Sequence, residues 1–126
     1  MAQPPGIVVF AHGSRIESAN EAVRSVAREL AQAGGFPAVE AAFLELGHPD
    51  LPTAIAALAA RGSQTILVLP YFLTLGLHLE RDLPRLIAEI SRSNNNLDII
   101  VTPPLDGHPA LVQVLLDRAR QALPKT

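Results

Sequence analysis

Ile7-Val8-Val9-Phe10-Ala11-His12-Gly13-Ser14 decides the fold: five apolar residues run without a polar break and stop at a His-Gly-Ser turn. A short run that is apolar at every position reads as a strand covered on both faces, the pattern of a parallel sheet between helices. A helix follows it. From about Ser18 to Ala33, Ala19, Ala22, Val23, Val26, Ala27, Leu30 and Ala31 recur at three and four residues, with Glu21, Arg24, Arg28 and Glu29 off that stripe. Gly34-Gly35 ends it, because glycine accepts the left-handed conformation of a helix stop.

The cycle then repeats. Ala38 to Leu44 reads as a second strand. Asp50 is a candidate N-cap, with Pro52 in the first turn, for a helix that runs to Arg61 and stops at Gly62. Thr65 to Leu69 is a third strand closed by Pro70. After a loop, Leu83, Leu86, Ile87 and Ile90 form a helical stripe with Asp82 and Pro84 near its start. Asn94-Asn95-Asn96 marks a turn. Leu97 to Val101 is a fourth strand, ended by Pro103-Pro104, and Asp106-Gly107-His108-Pro109 leads into a last helix carrying Leu111, Val112, Leu115, Leu116 and Ala119. Four strands alternating with four helices predict an α/β fold, a three-layer α/β/α domain with a four-stranded parallel sheet.

Composition sets the outer bounds. The 126 residues suit one domain spanning 1–126, with its core over about 6–123, and 48% apolar content supports a packed interior. With no cysteine, the chain has no disulfides, no thiol nucleophile and no thiolate metal site. Any metal must be held by His, carboxylate, backbone or water. A formal net charge of −2 and 4% aromatic content argue against a nucleic-acid partner. The opening Met-Ala-Gln-Pro-Pro-Gly lacks the basic start of a signal peptide, and the apolar stretch Ile66–Leu79 holds Pro70 and is short of a membrane span. The expectation is a cytoplasmic domain with no membrane partner.

In an open parallel sheet, ligands bind beyond the carboxyl ends of the strands. His12 follows the first strand, Glu45 and His48 the second, His78 the third and His108 the fourth, so all four histidines fall at that edge. Glu45 comes 33 residues after His12, and His78 comes 33 after Glu45, about one βα unit each. Two imidazoles and a carboxylate make a borderline site for divalent Fe, Co, Ni or Zn with open coordination positions. Each residue also has a plainer reading. His12-Gly13-Ser14 could be a strand-to-helix turn, and Glu45 a surface loop residue. His48 and His108 each precede Pro and read as helix entries. The apolar segment Pro70-Tyr71-Phe72-Leu73-Thr74-Leu75-Gly76-Leu77-His78 either floors a pocket for a flat hydrophobic substrate or covers the sheet edge. Phosphate-binding glycine loops, a G-x-S-x-G elbow and HExxH are all absent from the sequence.

His12-Gly13-Ser14-Arg15, Phe43-Leu44-Glu45, Pro70-Tyr71-Phe72-Leu73 with Gly76-Leu77-His78, Asp82-Leu83-Pro84 and Gly107-His108-Pro109 stand in the order seen in the class II tetrapyrrole chelatases. From about Gly6 to Leu123 the chain resembles their short, CbiX-type sirohydrochlorin cobaltochelatases and ferrochelatases. That resemblance implies a flavodoxin-like chelatase half-domain. It implies an enzyme that inserts a divalent metal, Co2+, Fe2+ or Ni2+, into a sirohydrochlorin-like tetrapyrrole, with the metal as substrate and no organic cofactor. His12 and His78 then correspond to the metal-contacting histidines and Glu45 to their acidic partner. Ser14, Arg15, Tyr71, Phe72, Leu73 and Arg81 are the expected substrate contacts, and a homodimer is the expected assembly. The competing expectation is a carrier of the same fold that binds metal or tetrapyrrole without turnover.

Overall fold

Every residue of the first strand, β1 (Gly6–Ala11), is buried, as its unbroken apolar run requires. The computed structural model describes residues 3–124, so Met1, Ala2, Lys125 and Thr126 of the expected 1–126 domain lie outside the described residues. In chain order the remaining elements are α1 (Glu17–Gly34), β2 (Val39–Phe43), α2 (Leu51–Ala60), β3 (Thr65–Pro70), α3 (Gly76–Ser93), β4 (Asp98–Val101) and α4 (Ala110–Ala122). The strands form one sheet in the order β2-β1-β3-β4, parallel throughout. Val9 lies between Ala41 of β2 and Leu69 of β3.

Alternation along the strands divides the core in two. Val8 and Phe10 of β1, with Ile66 and Val68 of β3, pack against Leu51, Ile55 and Leu58 of α2 and Leu79, Leu83 and Ile90 of α3. Val9 and Ala11, with Ala41 and Phe43 of β2, face Val23 and Ala27 of α1 on the other side. Each fully buried Leu, Ile or Phe stabilises this arrangement by about 1.5–3 kcal/mol relative to exposure. At the start of α2 the Asp50 carboxylate accepts the Thr53 N–H at 2.9 Å, the expected cap, with Pro52 in the first turn. Among the described residues no helix is long and apolar enough to cross a membrane.

Two elements depart from the pattern read in the sequence. α3 begins at Gly76 rather than near Asp82, and Pro84 sits inside it. Proline removes one N–H from the helix ladder. Pro84 is exposed, and Leu79, Leu83 and Ile90 still reach the core around it. The second departure is α4, which buries none of its residues and so adds no covered layer to the sheet.

The strand order positions the site. From β1 the chain steps outward to β2, then returns past β1 to β3, which puts α1 and α2 on opposite faces. The loop leaving β1 leads to one face and the loop leaving β3 to the other. Neighbouring strands whose exits diverge open a crevice between them, the usual ligand position in such sheets.

Candidate functional site

The crevice between the ends of β1 and β3 is bordered by His12 and by the segment Tyr71–His78. Beyond the last paired residues, hydrogen bonds extend the β1–β2 ladder. Leu44 N–H donates to Ala11 O at 2.9 Å and Glu45 N–H to His12 O at 3.0 Å. This extension sets the two side chains beside each other, with His12 Nε2 3.2 Å from Glu45 Oε1. The two groups form an ion pair whenever the imidazole is protonated. Both side chains are more than half exposed, so the pair is accessible to a solute and is worth at most about 1 kcal/mol to stability.

Backbone geometry explains how the pair is held. Gly13 has φ +95, and a Cβ built there would lie 1.7 Å from Glu45 O. Only glycine permits that approach. Leu46, just after Glu45, holds φ +59, a conformation that costs a non-glycine residue about 1–2 kcal/mol. Asn20 of α1 fixes both loops. Only 2% exposed, it accepts the Ser14 N–H at 2.9 Å and donates to Ser14 O at 2.9 Å and to Leu46 O at 3.0 Å.

Sequence reading missed Asn20, although a signal existed. It is a polar residue three and seven positions before Val23 and Ala27, on the buried stripe, while Ala19 and Ala22 of the expected stripe are exposed. Arg24 adds a further brace, its guanidinium 5.4 Å over the Phe43 ring and donating to His48 O at 3.2 Å.

The remaining candidates occupy distinct positions. Ser14 is engaged locally, its hydroxyl accepting the Ile16 N–H at 3.0 Å, and Arg15 beside it is exposed. Phe72 is half-buried and stands edge-on to both Phe10 and His12, with centroids 5.8 and 6.4 Å away. It therefore props the His12 ring from the β3 side. Tyr71, Leu73 and Leu77 are exposed, Leu77 at 86%. The segment read as either a pocket floor or a cover for the sheet edge presents an open apolar surface. A groove of about 580 Å3 lies between α2 and α3 and is lined by Pro52, Thr53 and Leu86, among others.

His78 lies in the first turn of α3, exposed, with Arg81 Nη2 3.4 Å from its Nδ1. Arginine only donates, so Nδ1 accepts and the proton of neutral His78 sits on Nε2. Arg81 also approaches Asp82 at 3.7 Å. Among the described residues no three His, Asp or Glu side chains gather closely enough to hold a metal together. The structure brings His12 and Glu45 into contact and leaves His78 apart. His48 is exposed at the loop before α2, and His108 Nδ1 accepts the Ala110 N–H at 3.0 Å, a helix-entry contact for α4.

Comparison with known proteins places this geometry. The CbiX family model matches residues 6–122. A sirohydrochlorin cobaltochelatase from Sulfolobus acidocaldarius is 35% identical over 118 residues, covering 94% of this chain and 92% of that protein. The chloroplastic sirohydrochlorin ferrochelatase of Arabidopsis thaliana is 30% identical, covering 94% of this chain and 52% of that protein. The crystal structure of a sirohydrochlorin chelatase, SirB from Bacillus subtilis subspecies spizizenii in complex with cobalt, superposes with a TM-score of 0.86 at 24% identity, which shows a shared fold. It covers 95% of this chain and 51% of that one. The chain thus spans about half the length of the plant and Bacillus proteins and nearly all of the archaeal one.

Proposed function

The chain belongs to the CbiX family, and from that premise we propose that it is a sirohydrochlorin chelatase, inserting Co2+ or Fe2+, with Ni2+ a third candidate, into the tetrapyrrole. The observation that carries this reading is the exposed His12–Glu45 pair, clamped at the diverging strand ends of a chain matching cobaltochelatase and ferrochelatase relatives. A homodimer and a cytoplasmic location belong to the same proposal.

Insertion requires two pyrrole N–H protons to leave while the nitrogen lone pairs turn toward the cation. A neutral imidazole holds a cation through its free nitrogen, and an imidazole also accepts a proton near neutral pH. In this proposal His12 and His78 present the metal, and Glu45 balances its charge and takes up released protons. The His12–Glu45 contact suits that division, because the carboxylate already lies 3.2 Å from the ring Nε2. Tyr71, Phe72 and Leu73 offer an apolar surface to the flat face of the macrocycle. Arg15 and Arg81 are placed to meet its carboxylates, and the Ser14 loop borders the same crevice. Bending the macrocycle to expose its lone pairs is strain supported by binding at its periphery.

The test mixes sirohydrochlorin with the protein and each of the three metals and follows the absorbance of the metallated product. Turnover beyond one equivalent is expected, with His78→Ala slower by about 100-fold. A product yield that stops at one equivalent of protein identifies a carrier instead. Insertion by His78→Ala at the parental rate removes His78 from the proposed site.

A further inference from the structure

Two aliphatic residues in the loops that carry His12 and Glu45 stand where the backbone favours other residue types, and both are exposed. The first is Leu46. Among the described residues seven have φ in the left-handed region, and the other six are five glycines and Asn96. Glycine takes that conformation without strain and asparagine tolerates it, whereas leucine does neither. Its side chain gains no cover in exchange, since Leu46 is 50% exposed. The second is Ile16, at the N-cap of α1. Ser, Thr, Asp and Asn are favoured there because their side chains accept a free N–H of the first turn, and isoleucine is among the poorest choices. Ile16 makes no such bond and is 66% exposed.

The fold accounts for the conformation at these positions and not for the side chains. Gly13 lies against Glu45 O and Asn20 donates to Leu46 O, so the peptide groups on both sides of Leu46 are held and its φ follows. Ile16 stands two residues past Ser14, whose N–H and carbonyl are bound by the same Asn20. One buried asparagine thus ties together the two loops that expose Ile16 and Leu46. Strain that surrounding contacts enforce clusters at ligand sites, and residues that break local preference without a packing gain mark function.

We infer that Ile16 and Leu46 are ligand-contacting residues, an apolar lip on the β2 side of the His12–Glu45 pair that takes up part of a flat, apolar ring system. This deepens the chelatase reading and rests on it for the ligand, the tetrapyrrole proposed above. Leu44 and Leu46 bracket Glu45, so the carboxylate is presented between two exposed aliphatic side chains. Covering such side chains with an apolar ring releases their water and favours binding. That gain offsets what each residue costs the free chain.

Strand order and helix packing locate the lip. β1 lies between β2 and β3, and α1 packs over β1 and β2. The Leu46 loop and the exposed Tyr71, Leu73 and Leu77 therefore flank His12 from opposite sides. A flat ligand between them meets apolar side chains at two borders while imidazole and carboxylate face it from the middle.

Giving each position the residue its backbone prefers separates ligand contact from folding. Ile16→Ser supplies an N-cap, Leu46→Gly releases the left-handed strain, and neither alters the charge. Each variant should melt about 3 °C above the parent. Each should also bind sirohydrochlorin, titrated without metal and followed by its fluorescence, about tenfold more weakly. Leu46→Met keeps both the apolar contact and the strain, so it should match the parent in the two readouts. Stability that rises while binding falls is a signature that a purely structural side chain does not give. Parental affinity in Ile16→Ser or Leu46→Gly overturns the inference, as does a tenfold loss in Leu46→Met. A lower melting temperature in Ile16→Ser or Leu46→Gly assigns the side chain to the fold, and a lower mass by light scattering assigns it to contact between copies; either result overturns the inference too. A parent that binds no sirohydrochlorin removes the chelatase reading and the lip together, whereas a parent that binds while its variants match it removes only the lip.

Discussion

The β1–β2 half of the molecule and the β3–β4 half are built from the same βα unit, yet they are finished to different degrees. In the first, α1 closes over the strands, and Asn20 satisfies three backbone groups of the two loops that present His12 and Glu45. In the second, His78 rides in the exposed first turn of α3, Leu67 and Leu69 are half covered, and α4 stands clear of the sheet. The contrast separates two ways of placing a reactive side chain. His12 is set by backbone hydrogen bonds and steric contact, and His78 by a helix end and one guanidinium.

Substitutions can break this contrast, and the largest effect is expected at Gly13. Gly13→Ala should cost about 4 kcal/mol in urea denaturation, since the new Cβ meets Glu45 O in a backbone conformation that alanine rarely adopts. A loss below 1 kcal/mol would show that the two loops are not in contact. Asn20→Ala should cost about 3 kcal/mol by leaving Ser14 N–H, Ser14 O and Leu46 O without their buried partner. Its expected signature is metal insertion that falls by more than global stability accounts for.

Asp50 caps α2 just after the Glu45 loop, and its carboxyl is held below the usual range, first by the Thr53 hydroxyl and then by the Thr53 N–H. A lowered native pKa favours the ionised form, so this stability is present above the ordinary Asp value and is lost as pH falls through the native one. Asp50→Ala should therefore cost about 1 kcal/mol at pH 7, with the gap to the parent closing in acid. On the bare half, Leu115→Ser should change the unfolding free energy of the diluted, single chain by no more than about 0.5 kcal/mol. A large loss there would mean that α4 packs within its own chain.

Most of the fold could be read because apolar patterning reports which face of an element is covered. β1 is buried at all six positions, and Asp50 and Gly35 act where the cap signals stood. What covers a face is not encoded in its own pattern. The stripe of α4 has the spacing of a packed helix, and only the structure shows it without a partner. Pro84 misplaced the start of α3 because its cost depends on whether the freed carbonyl meets water, which is a tertiary property. At the site, the strand order supplied what the 33-residue rhythm lacked: β1 lies between β2 and β3, so the His12 loop is flanked by those of Glu45 and His78. Asn20 was obscured because asparagine on a helix ordinarily reads as a surface residue.

The backbone contacts that set His12 against Glu45 are written between Gly6 and Gly47, and the Phe72 ring comes to His12 from beyond them. The ladder extension, the glycine, the left-handed leucine and the asparagine clamp all fall inside that stretch. The pair is thus a cassette, one strand–helix–strand unit that carries its own alignment. Chain joined after it, whether β3 of the same molecule or a whole second unit, has only to supply what faces the pair.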